Sequence, residues 1–106
     1  MHENEVKESM VNHIVMWKFR QELSQEEKNS VANEMKTQME AIVKKMSDVQ
    51  SLSVITAPLE SSNCDILLIG CFSTKEALSA YQNAPEHVRL KSRLMPFFAS
   101  RTCVDY

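Results

Sequence analysis

Glycine is almost missing from this chain: Gly70 is the single one in 106 residues. Loops that cradle phosphates, whether of the P-loop or the dinucleotide-binding kind, need several glycines in a short span, so nucleotide chemistry by those routes is excluded. Charge of one sign does not dominate either, with 12 Lys and Arg against 14 Asp and Glu for a net charge of −2. A chain that works on nucleic-acid phosphates or an anionic membrane carries a basic excess, and this one has none. No apolar run approaches the roughly 18–20 residues that span a bilayer. The opening MHENEVKESM is acidic and polar instead of basic then apolar, so no targeting segment is expected. Cysteines are few and odd in number: Cys64, Cys71 and Cys103 form no C-x-x-C and stand at no ligand spacing from a histidine. The expectation is free thiols in a reducing cytoplasm, with no metal and no cofactor.

What is present is the material for one compact domain. At 106 residues and 43% hydrophobic composition, folding buries roughly 60–70% of the unfolded chain's surface, enough for one core and no second catalytic domain. The partners to expect are small molecules or a second copy of the chain.

Residues 1–10 hold Glu3, Glu5, Lys7 and Glu8 but little to bury, and are expected to be a disordered extension ahead of a domain over 11–106. From Val11 the sequence VNHIVMWKFR alternates, with Val11, His13, Val15, Trp17 and Phe19 on one face, as a strand does. Ser24 and Glu27 form a capping box, after which Val31, Met35, Met39, Ile42 and Met46 recur at helical spacing, so a helix is expected over 25–46. Short apolar segments at 52–56 and 65–72 flank a loop with Pro58 and read as a hairpin. Ser73 with Glu76 suggests a second capping box, Asn83 a stop, and Pro85 the first turn of a third helix reaching Leu94. The last residues, 99–106, read as a final strand.

The order β-α-β-β-α-α-β matches the ferredoxin-like split βαβ plan, an antiparallel α+β sheet in order 4-1-3-2 with its helices on one face. The opposite face is then bare, and Ile14, Met16, Ile66, Leu68 and Val104 are assigned to it. An apolar sheet face of that size calls for a partner, most simply a second copy, which gives a dimeric α+β barrel.

The opening NHIVMWKF, the YQNAPEH segment over residues 81–87 and the closing VDY over 104–106 together resemble the stress-responsive A/B barrel (Dabb) family across residues 11–106. The resemblance implies ferredoxin-like chains that pair face to face. Its plant polyketide cyclases close a linear chain by aldol condensation without a cofactor, and their functional positions fall on His13, Tyr81, His87 and Asp105, with His87 as the general base. Where the family commonly shows His-Pro-x-His, this chain reads Ala84-Pro85-Glu86-His87, so the first histidine and any role it plays are absent.

The residues make chemical sense of that assignment. Strand 4 runs antiparallel beside strand 1, which brings Cys103 and Asp105 to His13, where Asp105 can orient the ring. A histidine in a helix's first turn sits at the positive end of the dipole and stays neutral, as a general base must. The Tyr81 hydroxyl can polarise a carbonyl, while Val15, Trp17, Val31, Met35, Leu67 and Ile69 supply apolar walls between sheet and helices, with Cys103 at the edge. Plainer readings stand beside these: a hydrogen-bonded core histidine for His13, a cap for His87, packing for Tyr81, an exposed strand end for Asp105, and a solvated basic face for Arg89, Lys91 and Arg93. Three functions remain open at this point: a small-molecule pocket running cofactor-free acid–base chemistry on a carbonyl or polyketide-like compound, a non-catalytic binding dimer, and a cofactor-free monooxygenase.

Overall fold

A computed structural model describes residues 10–106; the extension expected over 1–10 lies, apart from Met10, outside the described residues. The elements are β1 (Val11–Phe19), α1 (Gln25–Lys44), β2 (Val49–Ile55), β3 (Ile66–Phe72), α2 (Lys75–Asn83), α3 (Pro85–Leu94), a 3-10 turn (Met95–Phe97) and β4 (Phe98–Asp105). The strands form one sheet in the order β2-β3-β1-β4, every neighbouring pair antiparallel. This is the ferredoxin-like arrangement, with all helices over one face.

Helix α1 starts where the capping box places it. The Ser24 hydroxyl accepts from the Glu27 amide at 3.0 Å and the Glu27 carboxylate accepts from the Ser24 amide at 2.8 Å. Its buried stripe is Val31, Ala32, Met35, Met39 and Ile42, and the helix ends at Lys44, two residues before the expected Met46. The second capping box is not formed: Thr74 is the N-cap of α2 and accepts from the Ala77 amide at 3.0 Å. Ala77, Leu78 and Tyr81, at i, i+1 and i+4, share the buried face of α2. Strand β2 begins at Val49, three residues ahead of the expected start.

Strand β3 corrects the sequence reading of its faces. Directly paired residues in an antiparallel ladder share a face. Leu68 pairs with Val15 and Ile66 with Trp17, so both point at the helices and are almost wholly buried, not on the bare face where alternation had placed them. Leu67 pairs with Met16 and Ile69 with Ile14, which puts this pair on the bare face and removes both from any wall between sheet and helices. The segment ILLIGCF is apolar at nearly every position, so period-two patterning carried no signal about which set turns inward.

Gly70 stands opposite His13 in β1 and Leu52 in β2, and a Cβ there would lie 2.9 Å from Phe72 Cε1. The Phe72 ring is fully buried, packed on Tyr81 at 5.3 Å and edge-on to His13 at 6.3 Å, so it cannot swing away freely. Gly70→Ala is expected to destabilise the fold by about 1–3 kcal/mol through this overpacking, read as a lowered urea midpoint with unchanged slope.

Candidate functional site

The sheet and the α2–α3 pair do not close completely over β1. Between them lies a concavity of about 440 Å³ when its open mouth is counted, of which about 30 Å³ can be occupied by the centre of a water molecule. That is room for a water or two. Its floor is His13, Val15 and Trp17 from β1 with Leu68 from β3, and its roof is Tyr81, His87, Leu90 and Leu94. Met35 and Met39 form a side wall, while Lys91, Met95 and Arg101 stand around the opening.

The register of β1 against β4 places the polar groups. His13 pairs with Asp105, and two backbone hydrogen bonds between Asn12 and Tyr106, at 2.6 and 2.9 Å, pin the end of the chain to β1. The Asp105 carboxylate contacts Nδ1 of His13 and accepts from it, which fixes the plane of a ring that is only 3% exposed. No hydrogen bond to a described residue uses the other nitrogen, Nε2, and the residue lines the cavity. Asp105 therefore acts on the cavity only through His13.

His87 is the third residue of α3, which opens with Pro85 at its first position and has no side-chain cap. Its Nδ1 lies 3.1 Å from the carbonyl oxygen of Gln82. A carbonyl can only accept, so Nδ1 carries the proton and Nε2 keeps its lone pair. Burial holds the imidazole below its ordinary 6.5; Lys91, His13 and Arg101 add repulsion in the same direction, against the opposing hydrogen bond to Gln82. At neutral pH His87 is thus an uncharged base of fixed tautomer.

Tyr81 joins the two histidines. Its ring lies 4.5 Å from that of His87 and 6.4 Å from that of His13, and its hydroxyl donates to the Met39 thioether at 3.1 Å. Burial pushes the phenol well above its usual range, so it remains a donor at any physiological pH. A thioether is a weak acceptor, and a ligand oxygen can replace it at little cost.

The other expected site residues divide clearly. Val15, Trp17 and Met35 line the cavity. Val31 is a core residue that faces a separate surface hollow between Ser24 and Phe97, not this cavity. Leu67 and Ile69 lie on the opposite face of the sheet, for the register reason given above. Cys103 is exposed on the edge strand, outside the lining, with Sγ 3.8 Å from His13 Nδ1 and 3.7 Å from Asp105 Oδ1. Burial, and after it the neighbouring carboxylate, keeps that thiol above its usual range. Within the basic stretch of α3, Arg93 pairs with Glu34, while Lys91 alone turns to the cavity.

Arg101 had no sequence signal as a site residue. It becomes one because it pairs with Trp17 across the ladder and so shares the face of His13. Met39 was legible as core but not as lining, since both descriptions fit an apolar residue at helical spacing; Leu68 was expected on the bare face, and Leu90 and Leu94 had no sequence signal as lining.

The fold and this arrangement define a class: a ferredoxin-like α+β domain with one cavity between sheet and helices, served by two histidines and a tyrosine. The chain matches the stress-responsive A/B barrel domain over residues 11–106 and belongs to that family. A dimeric protein of unknown function with a ferredoxin-like fold from Bacteroides fragilis is 34% identical, with 92% of this chain and 94% of that one aligned and a TM-score of 0.84. A Dabb family protein from Mesorhizobium loti shares 17% identity over 92% and 95% of the two chains, with a TM-score of 0.73. The hydroxynitrile lyase from Passiflora edulis has the same fold at 12% identity, covering 92% of each chain with a TM-score of 0.68. By sequence, no curated protein matches this chain. Among the described residues no helix is long and apolar enough to cross a membrane.

Proposed function

We propose that the cavity binds a small, largely apolar carbonyl compound and that His87 removes a proton from the carbon beside the carbonyl, without a cofactor. The observation that carries this reading is the neutral, tautomer-fixed His87 packed 4.5 Å from a tyrosine ring whose phenol stays protonated. In that step Nε2 of His87 takes the proton, the C–H electron pair moves to the carbonyl, and the oxygen becomes an enolate. The Tyr81 hydroxyl leaves Met39 and donates to that oxygen. Lys91 and Arg101 at the mouth favour the negative charge as it develops. His13, held by Asp105, supports a second polar atom of the ligand. The enolate carbon is then the nucleophile for an aldol closure, or gives back its proton.

The test needs no knowledge of the natural substrate. Medium-chain methyl ketones and β-diketones in deuterium oxide, followed by proton NMR, should exchange their α-protons faster with the protein than in matched buffer. Exchange at the buffer rate across the series would leave a binding dimer as the better reading. Oxygen uptake with a hydroquinone in the cavity would favour the monooxygenase instead.

The chain acts, in this proposal, as a homodimer through the bare sheet face, where Ile14, Met16, Leu67, Ile69 and Val104 lie together on paired strands. Ile69 and Val104 are 42% and 48% exposed in the single chain. Ile69→Lys places a charge in the middle of this patch and should convert the dimer to monomer in sedimentation velocity, with far-UV circular dichroism retained. A monomeric wild-type protein at the same concentrations contradicts the assignment.

A further inference from the structure

The Asp105–His13 pair has a third member that the proposed acid–base chemistry does not use. Cys103 lies two residues before Asp105 on β4, so both side chains fall on one face of an edge strand, and His13 stands across the ladder from Asp105. One nitrogen, one sulfur and one carboxylate oxygen, from His13, Cys103 and Asp105, thereby lie within 4.8 Å of one another. The two sulfur distances, 3.8 Å to His13 Nδ1 and 3.7 Å to Asp105 Oδ1, can be compared with a tetrahedral zinc site. Its bond lengths and angles separate sulfur from nitrogen or oxygen by roughly 3.5 Å. The present spacing is within a few tenths of an ångström of that value.

We infer that His13, Cys103 and Asp105 form a three-ligand site for a borderline divalent transition ion, of which Zn²⁺ is the representative. A mixed N, S and O donor set selects such an ion over Mg²⁺ or Ca²⁺, which take oxygen alone. Two ligands stand in place: His13 is buried in β1, and Cys103 is carried on a strand whose end the Asn12–Tyr106 hydrogen bonds fix. The one movement required is that the Asp105 carboxylate, whose side chain is 42% exposed, gives up its hydrogen bond to Nδ1 and backs off to ligand spacing. A thiolate and a carboxylate match the charge of the ion. The exposed side of Cys103 leaves the fourth position to water.

Occupation rearranges protons in a defined way. The Cys103 thiol releases its proton to solvent as sulfur binds the ion. A neutral His13 gives up the Nδ1 proton and carries one on Nε2 instead, since Nδ1 now donates its lone pair to the metal. His13 thus passes from a hydrogen-bond acceptor at the cavity to a donor. The site itself does not depend on the role proposed for His87, and its test is separate.

Co²⁺ titrated into the full chain under reducing conditions should produce, at one equivalent per chain, thiolate-to-cobalt charge-transfer absorption and the intense visible bands of four-coordinate cobalt. Zn²⁺ should abolish both. Cys103→Ser should eliminate the charge-transfer absorption, while a Cys64→Ser/Cys71→Ser double variant keeps it. Asp105→Asn, at an exposed position that leaves the core alone, should weaken cobalt binding by about tenfold or more. Absence of charge-transfer absorption in the wild type overturns the assignment. So does its survival in Cys103→Ser, or unchanged affinity in Asp105→Asn.

Discussion

Replacing His87 with Gln will reduce α-proton exchange by about 10²–10⁴-fold, the range that a positioned general base contributes. Glutamine keeps a hydrogen-bonding group of similar reach in the first turn of α3 but has no basic lone pair. The fold should tolerate it, because His87 is half-buried and, among the described residues, is anchored by one hydrogen bond, to the Gln82 carbonyl at 3.1 Å. The wild-type profile carries its own signature. Burial lowers the His87 pKa from 6.5, so the neutral base persists as pH falls below that value and exchange should decline only at more acidic pH. Stability follows the same group: the unfolded imidazole binds a proton near 6.5 and the folded one does so at lower pH. Folding is therefore unaffected above that window and loses stability as pH drops through it, where the unfolded state holds more protons. In His87→Gln this part of the acid limb should flatten. A glutamine variant that exchanges α-protons at the wild-type rate removes His87 from the mechanism.

Truncating Tyr81 to Ala should cost about 3–5 kcal/mol, enough to leave a domain of this size largely unfolded at 37 °C. The ring is 1% exposed and sits among Phe72, His13 and His87, so its removal opens a void that the rigid strands cannot fill by collapse. Tyr81→Phe separates packing from chemistry. It retains the ring and deletes only a hydroxyl whose partner among the described residues is the Met39 thioether, so the urea midpoint should move by less than about 1 kcal/mol equivalent. Exchange activity in the same variant should fall about 10²–10³-fold, as the loss of one oxyanion donor does elsewhere. Equal exchange rates in Tyr81→Phe and wild type would reduce Tyr81 to a core residue.

The architecture was readable from one-dimensional signals because each of its elements advertises itself locally. The Ser24–Glu27 box and the stripe Val31, Met35, Met39, Ile42 specify α1 almost to the residue, since capping and a 3.6-residue period are properties of neighbours in sequence. Strand β1 alternates in burial, with Val11, His13, Val15, Trp17 and Phe19 inward, while Ile14 and Met16 make the centre of its other face apolar as well. Pro85 after Asn83 separates α2 from α3, because proline at a first helical position needs no amide partner. The element order then leaves few topologies, and the 4-1-3-2 sheet is the one adopted.

The site was readable only in part. His13, Tyr81 and His87 meet at one cavity, and Asp105 reaches it through His13. Their separation of up to 92 residues means that the β1–β4 register and the packing of α2 and α3 on the sheet determine how they are aimed. Leu67 and Ile69 went to the wrong wall because an apolar strand has no period. Arg101 went unseen because a lone arginine in a strand says nothing until its partner Trp17 shows which way it points.

Composition and local pattern, by themselves, determined the α+β element order of residues 11–106 and, with one glycine, left no material for Gly-rich phosphate loops. These are additive, short-range properties, written in spacing and caps. Tertiary structure alone decided which side of β3 faces the helices, the β1–β4 register that puts the expected partners Asp105 and His13 on one face, and that Lys91 and Arg101 border the opening. Each of these depends on a ladder register or a helix roll, and a shift of one residue in either reverses the answer without altering any local preference.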